Sequence, residues 1–167
     1  MQCSHTALRN HAVNAAWNTG MDTWAAARKI EESVFESIDS KGFGTGFASA
    51  REVLESGEGD CSEHAILAAA VSRSLGIPSR LVVGVMHHRG AFAYHMWHEV
   101  WTGDGWYALD ATIGDGSADA ARIKLADSSL PNGSVGEITS AITRAVGRLG
   151  VSIVEYTIDG TTTIVDQ

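Results

Sequence analysis

Cys61 lies in the stretch Gly59-Asp60-Cys61-Ser62-Glu63-His64-Ala65, where a glycine turn runs into a helix. The first turn of a helix carries unpaired N–H groups and a partial positive charge. Both favour a thiolate over a thiol, and the thiolate is the form of cysteine that attacks carbonyls. The same N–H groups can hold the oxyanion that such an attack creates. A nucleophile of this kind needs a base within hydrogen-bond reach and a third group that holds the base. The plain alternative for Cys61 is a small buried hydrophobe, the usual fate of a free cysteine.

Seven histidines could supply the base. His5 and His11 fall in a weakly patterned N-terminal stretch. His64 is three residues along the cysteine helix and could reach back to its own first turn. His87 and His88 end a strand beside Arg89-Gly90, where exposure to solvent is expected. His95 and His98 remain, on a strand leading into Thr102-Gly103-Asp104-Gly105, a strong hairpin turn signal. In an antiparallel hairpin with a four-residue loop, opposed residues have numbers with an odd sum. Trp101 then faces Trp106, and Trp97 faces Asp110. Side chains alternate between faces, so Asp110 shares a face with His95, Trp97 and Glu99. His95 becomes the diagonal neighbour of Asp110, and His98 points the other way. A bulge would reverse this assignment. The plain readings are a half-exposed strand histidine and an aspartate opening the turn at Ala111-Thr112.

The elements that must hold these residues are readable from periodicity and caps. Apolar positions Ala27, Ile30, Val34 and Ile38 predict a helix from Asp22 to about Ile38. Gly42, Gly44 and Gly46 predict an exposed loop over 39–48. Ser49 and Glu52 form a capping box for a short helix ending near Gly57. The cysteine helix should run from Cys61 to Leu75, with Asp60 as cap and Glu63 completing its box. Its body, Ala65 to Val71, is apolar all round, which predicts burial in a core. Gly76 and Pro78 end it. Strands are predicted at 80–86, 94–101 and 106–111. A helix follows a capping box over 134–137, with Ile138, Ile142, Ala145, Val146 and Leu149 on one face, and ends at Gly150. The chain closes with a hairpin, 151–158 and 161–166, turning at Asp159-Gly160. Helices followed by an antiparallel sheet make the fold class α+β.

Composition narrows the functions. The chain has 167 residues, 44% hydrophobic and 19% charged, enough for one domain spanning 1–167 with its own core. A net charge of −8 offers no basic stripe for nucleic acid. No apolar run approaches the length of a membrane span. The start Met1-Gln2-Cys3-Ser4-His5 lacks the pattern of a signal peptide, which leaves the compartment open. With two cysteines, neither a disulfide framework nor a four-cysteine zinc site is available. Cys3 reads as incidental. No residue pattern calls for a cofactor or a metal, and the oligomeric state is open.

Four blocks together resemble the transglutaminase-like superfamily. They are Gly59 to Ala65, Gly76-Ile77-Pro78-Ser79-Arg80, His95-Met96-Trp97-His98-Glu99-Val100, and Trp106-Tyr107-Ala108-Leu109-Asp110-Ala111-Thr112. They occur in the family's order and approximate spacing over roughly residues 22–130. Met96 and Ala111 depart from the common pattern without touching the chemistry. The resemblance implies a papain-like core in which a cysteine helix packs on an antiparallel sheet. It maps the family's nucleophile, base and orienting acid onto Cys61, His95 and Asp110. It also implies acyl transfer on amide or peptide substrates through an acyl-enzyme, with hydrolysis favoured over transamidation. A retired site of the same fold would instead serve as a peptide- or protein-binding module. A zinc site from Cys61, His64, His95 and His98 is a third reading. Against it stand Asp110, placed where an orienting carboxylate is wanted, and the absence of close cysteine pairs. Trp97, Trp101, Trp106 and Tyr107 are expected mostly to fill space between sheet and helices, a substrate platform being the alternative. Glu63 and Glu99 are candidates for hydrogen bonds to the site.

Overall fold

The computed structural model describes residues 4–39, 48–114, 118–129 and 136–165. Four helices come first: α1 (Thr6–Ala15), α2 (Thr23–Ser37), α3 (Ala50–Ser56) and α4 (Cys61–Ser74). Strands β1 (Ser79–His88), β2 (Ala91–Trp101), β3 (Trp106–Leu109) and β4 (Arg122–Ser128) follow. Helix α5 (Gly136–Ala145) and a hairpin of β5 (Glu155–Ile158) and β6 (Thr161–Ile164) come last. The predicted α+β class holds. The main sheet has the order β3-β2-β1-β4, every neighbouring pair antiparallel.

Helix α4 is the axis of the core. Ala65, Leu67, Ala68, Ala69, Ala70 and Val71 are buried within it, and helices α1, α2 and α3 surround it. Its other neighbours are β2 and β1, whose Leu81, Val83, Met96 and Val100 join the same apolar cluster. Each fully buried leucine or valine here contributes about 1.5–3 kcal/mol of hydrophobic stabilisation. The small alanines let the sheet and helices approach α4 closely. Helix α2 is capped by Asp22, whose side chain accepts from the Ala25 N–H. Helix α3 carries the predicted Ser49–Glu52 box.

Helix α1 and strand β4 were not legible as elements. Only Leu8 and Ala12 of α1 are buried, one i,i+4 pair, too little for a visible stripe. Strand β4 pairs with β1 through a register shift between Val83 and Gly84. A Cβ on Gly84 would lie 2.1 Å from the carbonyl oxygen of Ile123 and 2.7 Å from the Trp97 ring. Glycine is what lets the bulge and the indole share that space. The bulge also breaks the alternation of β4, hiding it from pattern reading.

Three expectations need correction. Helix α5 ends at Ala145, because Gly147 turns left-handed (φ 69°), and Val146 and Leu149 are exposed. The terminal hairpin turns at Asp159-Gly160 as expected, but its strands are shorter than 151–158 and 161–166. Strand β3 stops at Leu109, so Asp110 and Ala111 lie just beyond it. The predicted loop over 39–48 falls largely, and the capping box over 134–137 partly, outside the described residues, as does Cys3.

Candidate active site

The turn that presents Cys61 is built from carboxylates. Asp60 caps α4 by accepting from the Ser62 N–H at 2.8 Å and the Ser62 hydroxyl at 2.6 Å. Glu63 returns the favour, accepting from the Asp60 N–H at 3.1 Å and from the Ala48 N–H at 3.3 Å. Burial raises the Glu63 pKa, and its hydrogen bond to Asp60 adds to the rise. Burial acts on Asp60 in the same direction, but bonds from Ser62 and Glu63 outweigh it and lower its pKa. His64 bends back to its own first turn, with Nδ1 2.6 Å from the Asp60 carbonyl. Gly59 completes the turn. A Cβ there would sit 2.3 Å from the Cβ of Glu63. Cys61 is therefore held at the first position of the helix, partly exposed and free of any disulfide.

The hairpin delivers the other two residues. Trp101 pairs with Trp106 and His98 with Leu109, the register read from the turn length. Asp110 then lies on the side of His95, and His95 Nε2 meets Asp110 Oδ2 at 2.7 Å. The Cys61 side chain lies near the same imidazole and, with Asp110, favours its charged form. Cys61, His95 and Asp110 are thus brought together at one place. The Trp97 ring stacks beside His95, with centroids 6.2 Å apart and planes at 24°. His98 points to the opposite face, fully buried.

The electrostatics follow from burial and pairing. Burial alone would push His95 toward its neutral form. Bonds from Asp110 and Cys61, with their charges, win and raise its pKa from 6.5 to about 9. Burial would likewise raise the Asp110 pKa. His95 and Arg122 reverse that and hold it at about 2. On His98 burial outweighs the charge of Asp110 and the backbone of Leu109, and lowers its pKa to about 4.

Arg122, from β4, is the residue that the sequence did not reveal. Its Nε donates to Asp110 Oδ2 at 2.9 Å. Its Nη2 lies 2.7 Å from the same oxygen, an ion contact without the alignment of a hydrogen bond. Its Nη1 meets Asp119 at 2.6 Å. Neither Glu63 nor Glu99 hydrogen-bonds to His95 or Asp110. Glu99 instead pairs with Arg80 at 2.6 Å and Lys124 at 2.9 Å. Of the four aromatic residues, only Trp97 is buried. Trp101 and Trp106 stack edge-on at the hairpin end, Arg80 covers Trp106, and Tyr107 leans on Trp24. Among the described residues, no group of three histidine, cysteine or acidic side chains has the geometry to hold a metal.

A sequence model of the transglutaminase-like superfamily matches residues 10–111, well over half the chain. The chain belongs to that superfamily. No curated protein matches it by sequence. Among solved structures, it is similar to a protein from Cytophaga hutchinsonii that carries a provisional assignment as a cysteine protease. That match has a TM-score of 0.62 at 21% identity, and it covers 75% of this chain and 43% of the other. The chain thus spans less than half of that relative's length. LapG from Legionella pneumophila matches with a TM-score of 0.51 at 16% identity, over 82% of this chain and 96% of LapG. At such identities the likeness is one of fold. The superfamily match ends at Ala111. It takes in Cys61, His95 and Asp110, and stops short of Arg122.

Proposed function

We propose that this protein is a cysteine-nucleophile hydrolase of amide bonds in peptides or proteins, acting as one domain. The observation that carries the reading is the convergence of Cys61 on the buried His95–Asp110 pair, whose own link is 2.7 Å. The cysteine stands at a helix start, the imidazole is buried, and the carboxylate is ionised. This is the constellation that covalent acyl transfer needs.

The Cys61 thiolate attacks the amide carbonyl carbon while His95 carries the proton. The resulting oxyanion faces the backbone N–H of Cys61 at the α4 N-terminus. Collapse of the tetrahedral adduct breaks the C–N bond, and His95 gives its proton to the departing amine. A thioester remains on Cys61. His95, now neutral, draws a proton from water, and the hydroxide attacks the thioester carbonyl. Breaking of the C–S bond regenerates the thiolate and releases the acid. Asp110 holds His95 in one orientation and tautomer throughout.

The test starts with a peptide-directed electrophile. It should label Cys61 in the folded protein and fail on Cys61→Ala. A panel of small amides and peptides, with and without an added primary amine, then separates hydrolysis from transamidation. His95→Ala should cost turnover roughly 10²–10⁴-fold. Absence of both labelling and turnover would leave the chain as a binding module of this fold.

A further inference from the structure

We propose that Arg122 is a positioning residue of this site, whose guanidinium pins Asp110 and keeps the carboxylate paired while His95 is neutral. The proposal rests on the reading of Cys61, His95 and Asp110 given above.

Asp110 is 1% exposed, and the Arg122 side chain is 4% exposed. A buried carboxylate without a counter-charge is costly. His95 can balance that charge only as an imidazolium. It must give its proton to the leaving amine in every turnover, and at that moment the balance is lost. The guanidinium of an arginine is a permanent cation, so Arg122 supplies a lasting positive charge. Two guanidinium nitrogens converge on Oδ2, the oxygen that also receives His95. The other carboxylate oxygen, Oδ1, accepts from the Thr112 N–H at 3.1 Å. Both ends of the carboxylate are thereby fixed.

The ladder explains how β4 reaches this point. Arg122 pairs with Met86 on β1, which pairs with Ala93 on β2, two residues from His95. All lie on one face of the sheet. Gly84, paired with His95, has no side chain to obstruct that face. Asp119, 68% exposed, holds the far end of the fork.

Other ionisable groups surround the pair. Glu63 and His64 sit behind Cys61 on α4; His98 and Glu99 are on β2; Lys124 is on β4. Glu99 and Asp127 balance Lys124 and Arg80 in one ion-pair network, and His98 is uncharged near neutral pH. Arg122 is therefore the fixed charge that divides the pull of Asp110 on His95. Without it the whole carboxylate charge would act on the imidazole, which would hold its proton more tightly.

The experiment is an NMR titration of the His95 ring in full-length protein. It uses a Cys61→Ala background, so that the thiol does not titrate with it. Arg122→Gln and Arg122→Met remove the charge; Arg122→Lys keeps it. The neutral variants should raise the His95 midpoint by about one pH unit or more, and Arg122→Lys should leave it near the parent. A midpoint that stays put or falls in a folded neutral variant would overturn the proposal. So would failure of both neutral variants to fold, since Arg122 would then be a folding requirement rather than a positioning residue. The readout is the charge on the ring, not turnover. A failed labelling of Cys61 would thus count against the proposed function and leave this result standing.

Discussion

Replacing His98 with leucine should make the protein more resistant to acid. His98 is 0% exposed, and neither ring nitrogen has a well-aligned partner among the described residues. The charge of Asp110 and the backbone of Leu109, opposite on β3, favour the protonated ring, and burial outweighs both. Burial lowers its pKa from 6.5 to about 4. The unfolded chain therefore binds a proton near pH 6.5 that the folded protein refuses until about pH 4. Stability falls as pH drops through this window and levels off below it. At 1.36 kcal/mol per pKa unit, the loss amounts to about 3 kcal/mol. That is a large part of the 5–15 kcal/mol typical of a domain. The neighbouring pair does not mask it. The raised pKa of His95 gives stability that is complete below pH 6.5 and lost as pH climbs through about 9. The lowered pKa of Asp110 gives stability lost only between 3.8 and about 2. Other groups, including His11 and Glu63, shift alike in both proteins, so the comparison cancels them. Urea unfolding of wild type and His98→Leu at half-unit steps from pH 7.5 to 4 supplies the measurement. The two stability curves should converge or cross toward acid, with a relative gain for the variant of about 3 kcal/mol. Parallel curves would show that His98 is not held neutral by burial, and the argument would fail.

Three further outcomes follow from the site. Iodoacetamide at pH 6 should modify Cys61 at least roughly tenfold faster than Cys3 in the folded protein, and equal rates would contradict an activated nucleophile. Asp110→Asn should lower turnover roughly 10²–10⁴-fold, because an amide can hold His95 in the wrong tautomer. It should also lower Tm by a few degrees, since Arg122 loses its anion; near-normal turnover would leave a Cys61–His95 dyad. Gly59→Ala drives a methyl group into Glu63, which is 2.3 Å away, so about 1–3 kcal/mol of stability should be lost in urea unfolding. Labelling of Cys61 should slow with it, and an unchanged labelling rate would mean that the turn does not set the thiol's position.

The parts of this site that could be read in advance were those fixed by short-range rules. A cap, an acid three residues on and an apolar body are enough to place Cys61 at a helix start. A four-residue turn is enough to set the His95–Asp110 register, because counting along an antiparallel ladder needs no tertiary knowledge. Arg122 was out of reach for the opposite reason. It lies twelve residues past Asp110, on a strand whose alternation is broken by the bulge at Gly84. Only the assembled sheet brings it back. The aromatic residues failed differently. Trp101, Trp106 and Tyr107 look like core by composition, but they lie at the hairpin end, where they remain exposed and pack on one another, on Arg80 and on Trp24.

The tight turn at Arg89-Gly90 divides the chemistry between two lengths of chain. Everything before it includes the proposed nucleophile, Cys61, and everything after it includes the proposed base, His95, with Asp110. Both turn residues are exposed, with φ of 52° and 86°. A chain opened there would yield two halves, neither able to turn over alone. Ten consecutive pairs between β1 and β2, from Ser79–Val100 to His88–Ala91, remain to rejoin them. Recovered activity would then report that the halves had met, and the fold would serve as a split reporter whose signal is its own reaction.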